Sequence, residues 1–205
     1  MIGQRSERGA TLVEFALIVP LLLLLVFGII EFGLLFNSDS NVNQGARAGG
    51  RTAAILSTDP QMGYRAAEAA ANSLGISPAS ITGSPTVCVA LFDPANPNKC
   101  TKDVTSVSLT HLGTPGSPVW TVVVSGNLPG VYPPTDGWPV AQRHFGCSLN
   151  GQPPTYDKVI VHVEIKHKLV IPGLFSGFLG GTNTPTVSAT SVFQLEPVPS
   201  NSCLP

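Results

Sequence analysis

The hydrophobic residues at the start of the chain form one long run. No charged residue occurs from Ala16 to Ile30, and the sequence is largely apolar over residues 10–36. A bilayer-spanning helix needs about 20 predominantly apolar residues, whereas the apolar core of a secretory signal peptide needs only about 7 to 15. The sequence around Gly33 offers no small-x-small site for signal-peptide cleavage. The pattern therefore predicts a transmembrane helix over residues 10–36.

Beyond this run, residues 37–56 carry a narrower helical stripe. Its apolar and small residues recur at offsets of 4, 3, 4 and 3 positions: Val42, Ala46, Gly49, Ala53 and Leu56. Gly45 and Gly49 with the surrounding alanines would let another helix approach closely. Each glycine also costs about 1 kcal/mol in a helix interior relative to alanine. A kink near Gly49 and Gly50 is therefore the open alternative to a packing face.

A second helix is predicted over residues 59–75. Asp59 precedes Pro60, which is favoured as the first helical residue, and Gly75 follows an alanine-rich body as a stop signal. This helix would follow the stripe-bearing segment directly.

After residue 76 the sequence changes to short runs of valine, threonine and isoleucine separated by proline and glycine, which is typical of strands. Five strands are predicted, over residues 86–92, 103–112, 119–126, 158–171 and 186–195. In the clearest strand, 158–171, apolar and polar residues alternate, so one face is core and the other is solvated. We predict an α+β fold: an N-terminal transmembrane helix extending into an exterior helical segment, then a small antiparallel-sheet ectodomain with one packed helix.

A long segment rich in proline and glycine separates the third and fourth predicted strands. This 126–157 loop contains Tyr132, Trp138, Phe145 and Tyr156. Loops above about 12 to 15 residues are usually functional or disordered. We expect a disulfide-pinned loop whose aromatic residues pack on the sheet, with a ligand-binding loop as the alternative.

Basic residues indicate the orientation of the predicted membrane helix. Arg5 and Arg8 precede the apolar run and no comparable cluster follows it closely, so the positive-inside rule places the N-terminus in the cytoplasm. We expect a single-pass membrane protein with an extracytoplasmic ectodomain. The predicted parts are a cytoplasmic leader (1–9), the transmembrane helix (10–36), a helical stalk with the second helix (37–75), the β-rich ectodomain (76–197) and a C-terminal tail (198–205).

Charge and motif content narrow the function. Only 11% of residues are charged and the net charge is -1, so no basic surface for nucleic acid is predicted. The sequence has no HExxH, GxSxG, P-loop or GxGxxG motif, which argues against an enzyme and against a bound cofactor. His162 and Glu164 share a strand face and could bind a metal weakly, but alternating charged residues are typical of a solvated face.

The cysteines all lie in the part of the chain predicted to be outside the cytoplasm: Cys88, Cys100, Cys147 and Cys203. An oxidising compartment lets disulfides persist, so two bridges are expected. We favour Cys88 with Cys100, which flank the turn-rich stretch DPANPN, and Cys147 with Cys203, which would tie down the tail. No Cys-x-x-Cys occurs and no histidine lies at ligand spacing, so a metal site is not predicted.

Two glutamates flank the apolar run. Glu14 lies within the predicted span, where an ionised carboxylate costs up to about 2.5 to 3.5 kcal/mol and therefore tends to be paired. The helix itself offers no cation. The partner would come from another subunit, or Glu14 would lie at the cytoplasmic interface as a helix N-terminal acid. Glu31 is interpreted as an acid at the outer interface.

A resemblance to a known family lies in the first quarter of the chain. The stretches RGATLVEFALIVPLLLLLVFGIIEFG and QGARAGGRTAA, within residues 8–54, resemble the TadE-like proteins. These are minor pilins or pseudopilins of tight-adherence (Flp-type, type IVb) pilus systems. The C-terminal stretches VIVHVEIKHKLVIPGLFSGF and VSATSVFQLEP are also similar to the close of TadE-like ectodomains.

The resemblance implies a prepilin leader. In this pilin class a peptidase cuts after a glycine five residues before Glu-Phe or Glu-Tyr, and Gly9, Glu14 and Phe15 meet that spacing. Cleavage would leave Ala10 as the new N-terminus, and Glu14 would pair with the N-terminal amine of a neighbouring subunit during assembly. The implied partners are the membrane, other pilins, pilus assembly platform proteins and the prepilin peptidase.

Two classes of function follow. The first is a non-enzymatic minor pilin, pseudopilin or pilus assembly protein in the inner membrane, incorporated in the pilus at the cell surface or priming it. Major Flp pilins are little more than the helix, so the large ectodomain argues against a bulk shaft subunit. The alternative is a membrane-tethered extracytoplasmic binding module, anchored by an uncleaved N-terminal helix, with the 126–157 loop as its active part.

Overall fold

The fold is α+β, as predicted. The computed structural model of the protein describes residues 7–98, 100, 102–111, 120–124, 127–128, 131–136, 138–140, 143, 156–170 and 184–196. Its elements in chain order are α1 (Glu7–Ile55), α2 (Met62–Asn72), a 3-10 turn (Pro78–Ser80), β1 (Thr86–Leu91), β2 (Lys102–His111), β3 (Trp120–Val123), β4 (Lys158–Lys166) and β5 (Thr186–Gln194).

The strands form one antiparallel sheet in the order β3-β2-β1-β4-β5. All five predicted strands are present, but β4 ends at Lys166 rather than at residue 171. Past Lys166 the backbone forms one isolated antiparallel bridge, between His167 and Ile81, and the Val170 amide then donates to the Glu31 carboxylate of α1. Tertiary contacts, not the alternating pattern, end the strand.

The core lies between one face of the sheet and the two helices. Alternate residues of β4 supply the sheet side, and each is at most 1% exposed: Val159, Val161, Val163 and Ile165. The small residues of α2 supply the other side: Gly63, Ala66, Ala67, Ala70 and Ala71. Because these side chains are small, α2 lies close to α1 and the sheet while still removing apolar area from water.

Helix α1 is continuous over 49 residues, about 70 Å at 1.5 Å per residue. It passes through Gly49 and Gly50 without ending. Its C-terminal half, from Glu31 onward, packs on the ectodomain, and this packing begins inside the range 10–36 that the sequence assigned to the membrane.

The turn before α2 differs from the prediction. Asp59 does not cap α2. Its Oδ1 accepts a hydrogen bond of 2.7 Å from the Gln61 amide and so closes a turn that precedes α2. Helix α2 then begins at Met62 and ends at Asn72, shorter at both ends than the predicted 59–75. Side-chain bonds of this kind compete with the first helical turn.

Candidate functional site

The predicted processing and assembly residues lie in the first turns of α1. Gly9 and Ala10 belong to the first turn, and Glu14 and Phe15 follow one turn later. Glu14 is exposed and Phe15 is 65% exposed. Within the described part of the chain Glu14 forms no ion pair, so a partner for its charge has to come from elsewhere. The Glu14 backbone lies about 6 Å along the helix from Ala10.

The helix surface that follows is apolar and exposed. From Leu12 to Ile30 the large apolar side chains other than the half-buried Val19 are exposed, with fractions from 39% for Val26 to 74% for Leu17. This part of α1 is long and apolar enough to span a membrane. Soluble monomers rarely expose apolar patches above a few hundred Å². Lipid, other helices or both are therefore expected to cover this segment.

The small-residue stripe of α1 packs inside the protein itself. Gly45 and Gly49 face α2 of the same chain. A Cβ on Gly49 would lie 2.8 Å from the Ala66 carbonyl oxygen, and a Cβ on Gly45 would lie 3.0 Å from Leu74 Cδ2. Only glycine allows the two helices to approach this closely. The helix that these glycines admit therefore belongs to the same subunit.

The neighbouring glycine of α1 faces the sheet. A Cβ on Gly50 would lie 2.3 Å from Phe193 Cδ2, so the aromatic ring of β5 occupies the space that a side chain would need. Two residues earlier in β5, on the same face of the sheet, the Ser191 hydroxyl donates a hydrogen bond to the Ala46 carbonyl. These contacts hold β5 directly on α1.

A buried polar cluster joins α1 to the end of β4. Glu31 is 3% exposed and His167 is 1% exposed, and 3.6 Å separates Glu31 Oε1 from His167 Nε2. Glu31 Oε2 accepts a 3.0 Å hydrogen bond from the Val170 amide, and His167 Nδ1 lies 3.0 Å from Ser38 Oγ. Glu31 Oε1 and His167 Nε2 have no hydrogen-bond partner within the described residues. A proton on His167 Nε2 would pair these two atoms electrostatically.

Sequence reasoning placed Glu31 at the outer interface without anticipating its burial against the ectodomain, and it left His167 unassigned. One signal was present: His167 continues the core-facing alternation of Val163 and Ile165. A histidine at such a position requires polar partners, because buried polar groups are nearly always hydrogen-bonded. The partner on α1 is too distant in sequence for this pattern to identify.

The described part of the 126–157 loop is held against the turn between α1 and α2. Arg143 Nη2 lies 3.0 Å from Asp136 Oδ1, and Arg143 Nη1 donates to the carbonyl oxygens of Ser57 and Asp59. Burial lowers the pKa of the Arg143 guanidinium, and the negative charge of Asp136 opposes that shift. Charge-assisted hydrogen bonds in this number make the loop a structural part of the ectodomain.

Aromatic residues of the loop also pack. The Tyr132 ring stacks on Tyr64 of α2 at a centroid distance of 5.5 Å and lies against the hydrophobic core that the sheet lines, of which Trp138 is a part. Burial and then the nearby Glu68 carboxylate raise the pKa of Tyr132 to about 12. Trp138 is 4% exposed and lies beneath the Arg143 guanidinium. Phe145 lies outside the described residues.

A disulfide joins Cys88 of β1 to Cys100, with 6.2 Å between their Cα atoms. It closes the turn-rich stretch that follows β1, and it is the first of the two bridges favoured from the sequence. Cys147 and Cys203, the second predicted pair, lie outside the described residues.

The polar face of β4 offers no built metal site. His162 Nδ1 lies 2.8 Å from Thr190 Oγ1 of β5, and His162 Nε2 lies 3.9 Å from Glu164 Oε2. Across the described ranges no group of three or more histidine, cysteine, aspartate or glutamate residues is placed to hold a metal ion. This face is a partly solvated surface with a cross-strand hydrogen bond.

Comparison with known proteins bears on the N-terminal helix. Residues 9–51 match the family model described as TadE-like protein, so this segment of the chain is similar to that family. The match begins at Gly9 and includes Glu14, the exposed apolar segment and the glycine pair that faces α2. Searches of curated proteins and of solved structures found no significant match.

Proposed function

We propose that this chain, TadE-like over its N-terminal helix, is a non-enzymatic minor pilin or pseudopilin of a tight-adherence pilus system. In this proposal the apolar part of α1, residues 10–30, crosses the inner membrane once. The leader lies in the cytoplasm and the ectodomain lies outside. The subunit would enter the pilus or prime its assembly, together with other pilins and the assembly platform.

The observation that carries this proposal is the division of α1 into two parts. Residues 31–55 pack on the sheet and on α2, while the large apolar side chains between Leu12 and Ile30, apart from the half-buried Val19, are exposed. The same continuous helix thus serves as core of the ectodomain and as an apolar rod. A rod of this kind can move from lipid into a bundle of similar helices without any change in the ectodomain.

Glu14 would set the register of that bundle. Cleavage after Gly9 would create a positively charged amine on Ala10, at the end of the apolar rod. Two opposite charges attract strongly where water is scarce, and leaving either one unpaired there is costly. No side chain of residues 10–30 is cationic, so an amine from a neighbouring subunit would give Glu14 a partner.

The Glu14→Ala variant tests this role. We expect it to insert in the membrane and to keep a folded ectodomain, because Glu14 is exposed and far from the core, yet to be absent from sheared pili. Immunoblots of the membrane and pilus fractions measure membrane insertion and entry into pili. Leu17→Ala, at an exposed apolar position one turn away, is the matched control and should assemble; Glu14→Asp, which retains the charge, should recover part of the assembly. Normal assembly of Glu14→Ala would overturn the proposed role.

The alternative of a tethered binding module receives less support from the described contacts. Asp136, Trp138 and Arg143 of the 126–157 loop are at most 6% exposed and join the loop to the helix turn. Deleting the loop would remove part of the core, so loss of pili in a deletion would not distinguish the two functions. Substitutions at the exposed Leu128 and Val131 leave those contacts in place and discriminate better.

A further inference from the structure

We propose that the end of the ectodomain formed by Lys166, Lys168 and Val170 is a docking surface for the phospholipid headgroups of the bilayer that α1 crosses. The inference rests on the proposed membrane insertion of residues 10–30. Its partner is the anionic phosphate and acyl boundary of the outer leaflet of that membrane.

The height of this surface follows from the Glu31 contact. The charge-free stretch of α1 ends at Ile30, and the exposed Phe32, Leu34 and Phe36 continue the apolar surface into the headgroup interface. Residues 10–30 span about 31 Å as a helix, close to the roughly 30 Å thickness of the hydrocarbon core. Glu31, the next residue, accepts the backbone hydrogen bond of Val170 at 3.0 Å. Val170 therefore lies at the level where α1 leaves the hydrocarbon.

The strand directions place the two ends of the ectodomain. Thr186, which begins β5, lines a groove together with Phe36 of α1, and the Glu196 amide just after β5 donates to the Ala54 carbonyl. Strand β5 therefore runs away from the membrane over a helix length of about 27 Å, from Phe36 to Ala54. Because β4 is antiparallel to β5, it runs towards the membrane, and Lys158 begins it at the far end.

The side chains at the near end suit a lipid surface. His167 and Leu169 point inward at 1% and 2% exposure, while Lys166 and Lys168 are exposed and Val170 is 61% exposed. Basic residues beside an apolar one are typical of interfacial contacts, since ammonium groups attract anionic headgroups and apolar side chains reach the acyl boundary. This charge match, continuous with the membrane-crossing helix, identifies lipid as the partner.

Docking would fix how the ectodomain stands on the membrane. The buried contact between Glu31 and His167 holds the sheet on α1 at the same level. The lipid contact and the polar cluster would therefore both fix the position of the sheet relative to α1. On extraction of the subunit into a pilus, only the lipid contact would be lost.

Photo-crosslinking of the full-length protein in vesicles tests the proposal. The photoreactive residue p-benzoylphenylalanine replaces Val170, Leu24 or Lys158, one position at a time, in vesicles of phosphatidylcholine and phosphatidylglycerol. Lipid adducts are counted by intact mass after illumination. We expect adducts at Leu24 and Val170, with at least about fivefold more adduct at Val170 than at Lys158.

The headgroup charge is tested with a double variant. Lys166→Glu with Lys168→Glu should lower the adduct yield at Val170 by about twofold or more in the anionic vesicles, because the lysines attract anionic headgroups and the glutamates repel them. Lys158→Glu is the matched control and should leave the yield unchanged.

The outcomes separate the two levels of the proposal. Adducts at Leu24 with no excess at Val170 over Lys158 would overturn the docking surface and leave membrane insertion standing. No adduct at Leu24 would overturn both. An adduct at Val170 that persists unchanged in the double lysine variant would overturn the assignment of anionic headgroups as the partner.

Discussion

Single atoms decide how closely the two helices approach at Gly49. The hydrogen-only side chain leaves room for the Ala66 carbonyl oxygen, Ala70 Cβ and a methyl group of Val161, all within 3.1 Å of where a Cβ would lie. Two of these three neighbours are fixed to the backbone, so rotating a side chain cannot make space. Whether a larger side chain fits at position 49 therefore depends on the distance between the two helices.

Gly49→Ala should destabilise the ectodomain by about 1 to 3 kcal/mol, the usual range for overpacking a core. Urea unfolding of the detergent-solubilised protein measures the change. Gly33→Ala is the matched control on the same helix, because no heavy atom lies within 4 Å of its Cβ position. That control should be neutral or stabilising by up to about 1 kcal/mol, through helix propensity. Equal effects of the two substitutions would contradict the close packing at Gly49.

At the scale of elements, the sheet is joined to α1 by two different kinds of contact. Next to Gly50 the contact is steric, since the Phe193 ring fills the space where a Cβ would lie. At Glu31 it is polar, with a carboxylate and an imidazole both buried. A buried polar contact is selective because a displaced register would leave charged or polar groups unpaired.

Glu31→Gln and His167→Gln should each destabilise the protein by about 1 to 3 kcal/mol, because each leaves a buried partner poorly satisfied. The double variant should lose less than the sum of the single losses, with a coupling of about 0.5 kcal/mol or more. Urea unfolding of the four proteins gives this cycle. Asp39→Asn, at an exposed acid of α1, is the control and should change stability by less than about 0.5 kcal/mol. Strictly additive losses would contradict a direct contact.

The elements could be predicted from sequence wherever a local pattern determines them. The alternation of Val159, Val161 and Val163 identified β4, and the offsets of Val42, Ala46 and Gly49 identified the buried stripe of α1. Features that depend on distant contacts could not be predicted. The end of β4 and the burial of Glu31 both depend on the contact between α1 and the residues that follow β4. Residues so far apart in sequence cannot be paired from a single sequence.

At the scale of the whole molecule, α1 is a rod with a domain mounted on its C-terminal half. The exposed rod, the Gly9 to Glu14 spacing and the TadE-like match over residues 9–51 coincide on one segment. In our proposal the rod first spans the membrane and then packs in the pilus. The ectodomain is stabilised by its own core and by the Arg143 contacts, so its structure does not change between the two states.

N-terminal sequencing and intact mass of the protein from the membranes of its own cells, with the prepilin peptidase present and absent, decide whether the rod is processed as a pilin. We expect a chain that begins at Ala10 when the peptidase is present and at Met1 when it is absent, since the peptidase creates the amine that Glu14 would bind. A chain that begins at Met1 under both conditions would contradict the pilin proposal and leave α1 as a plain anchor.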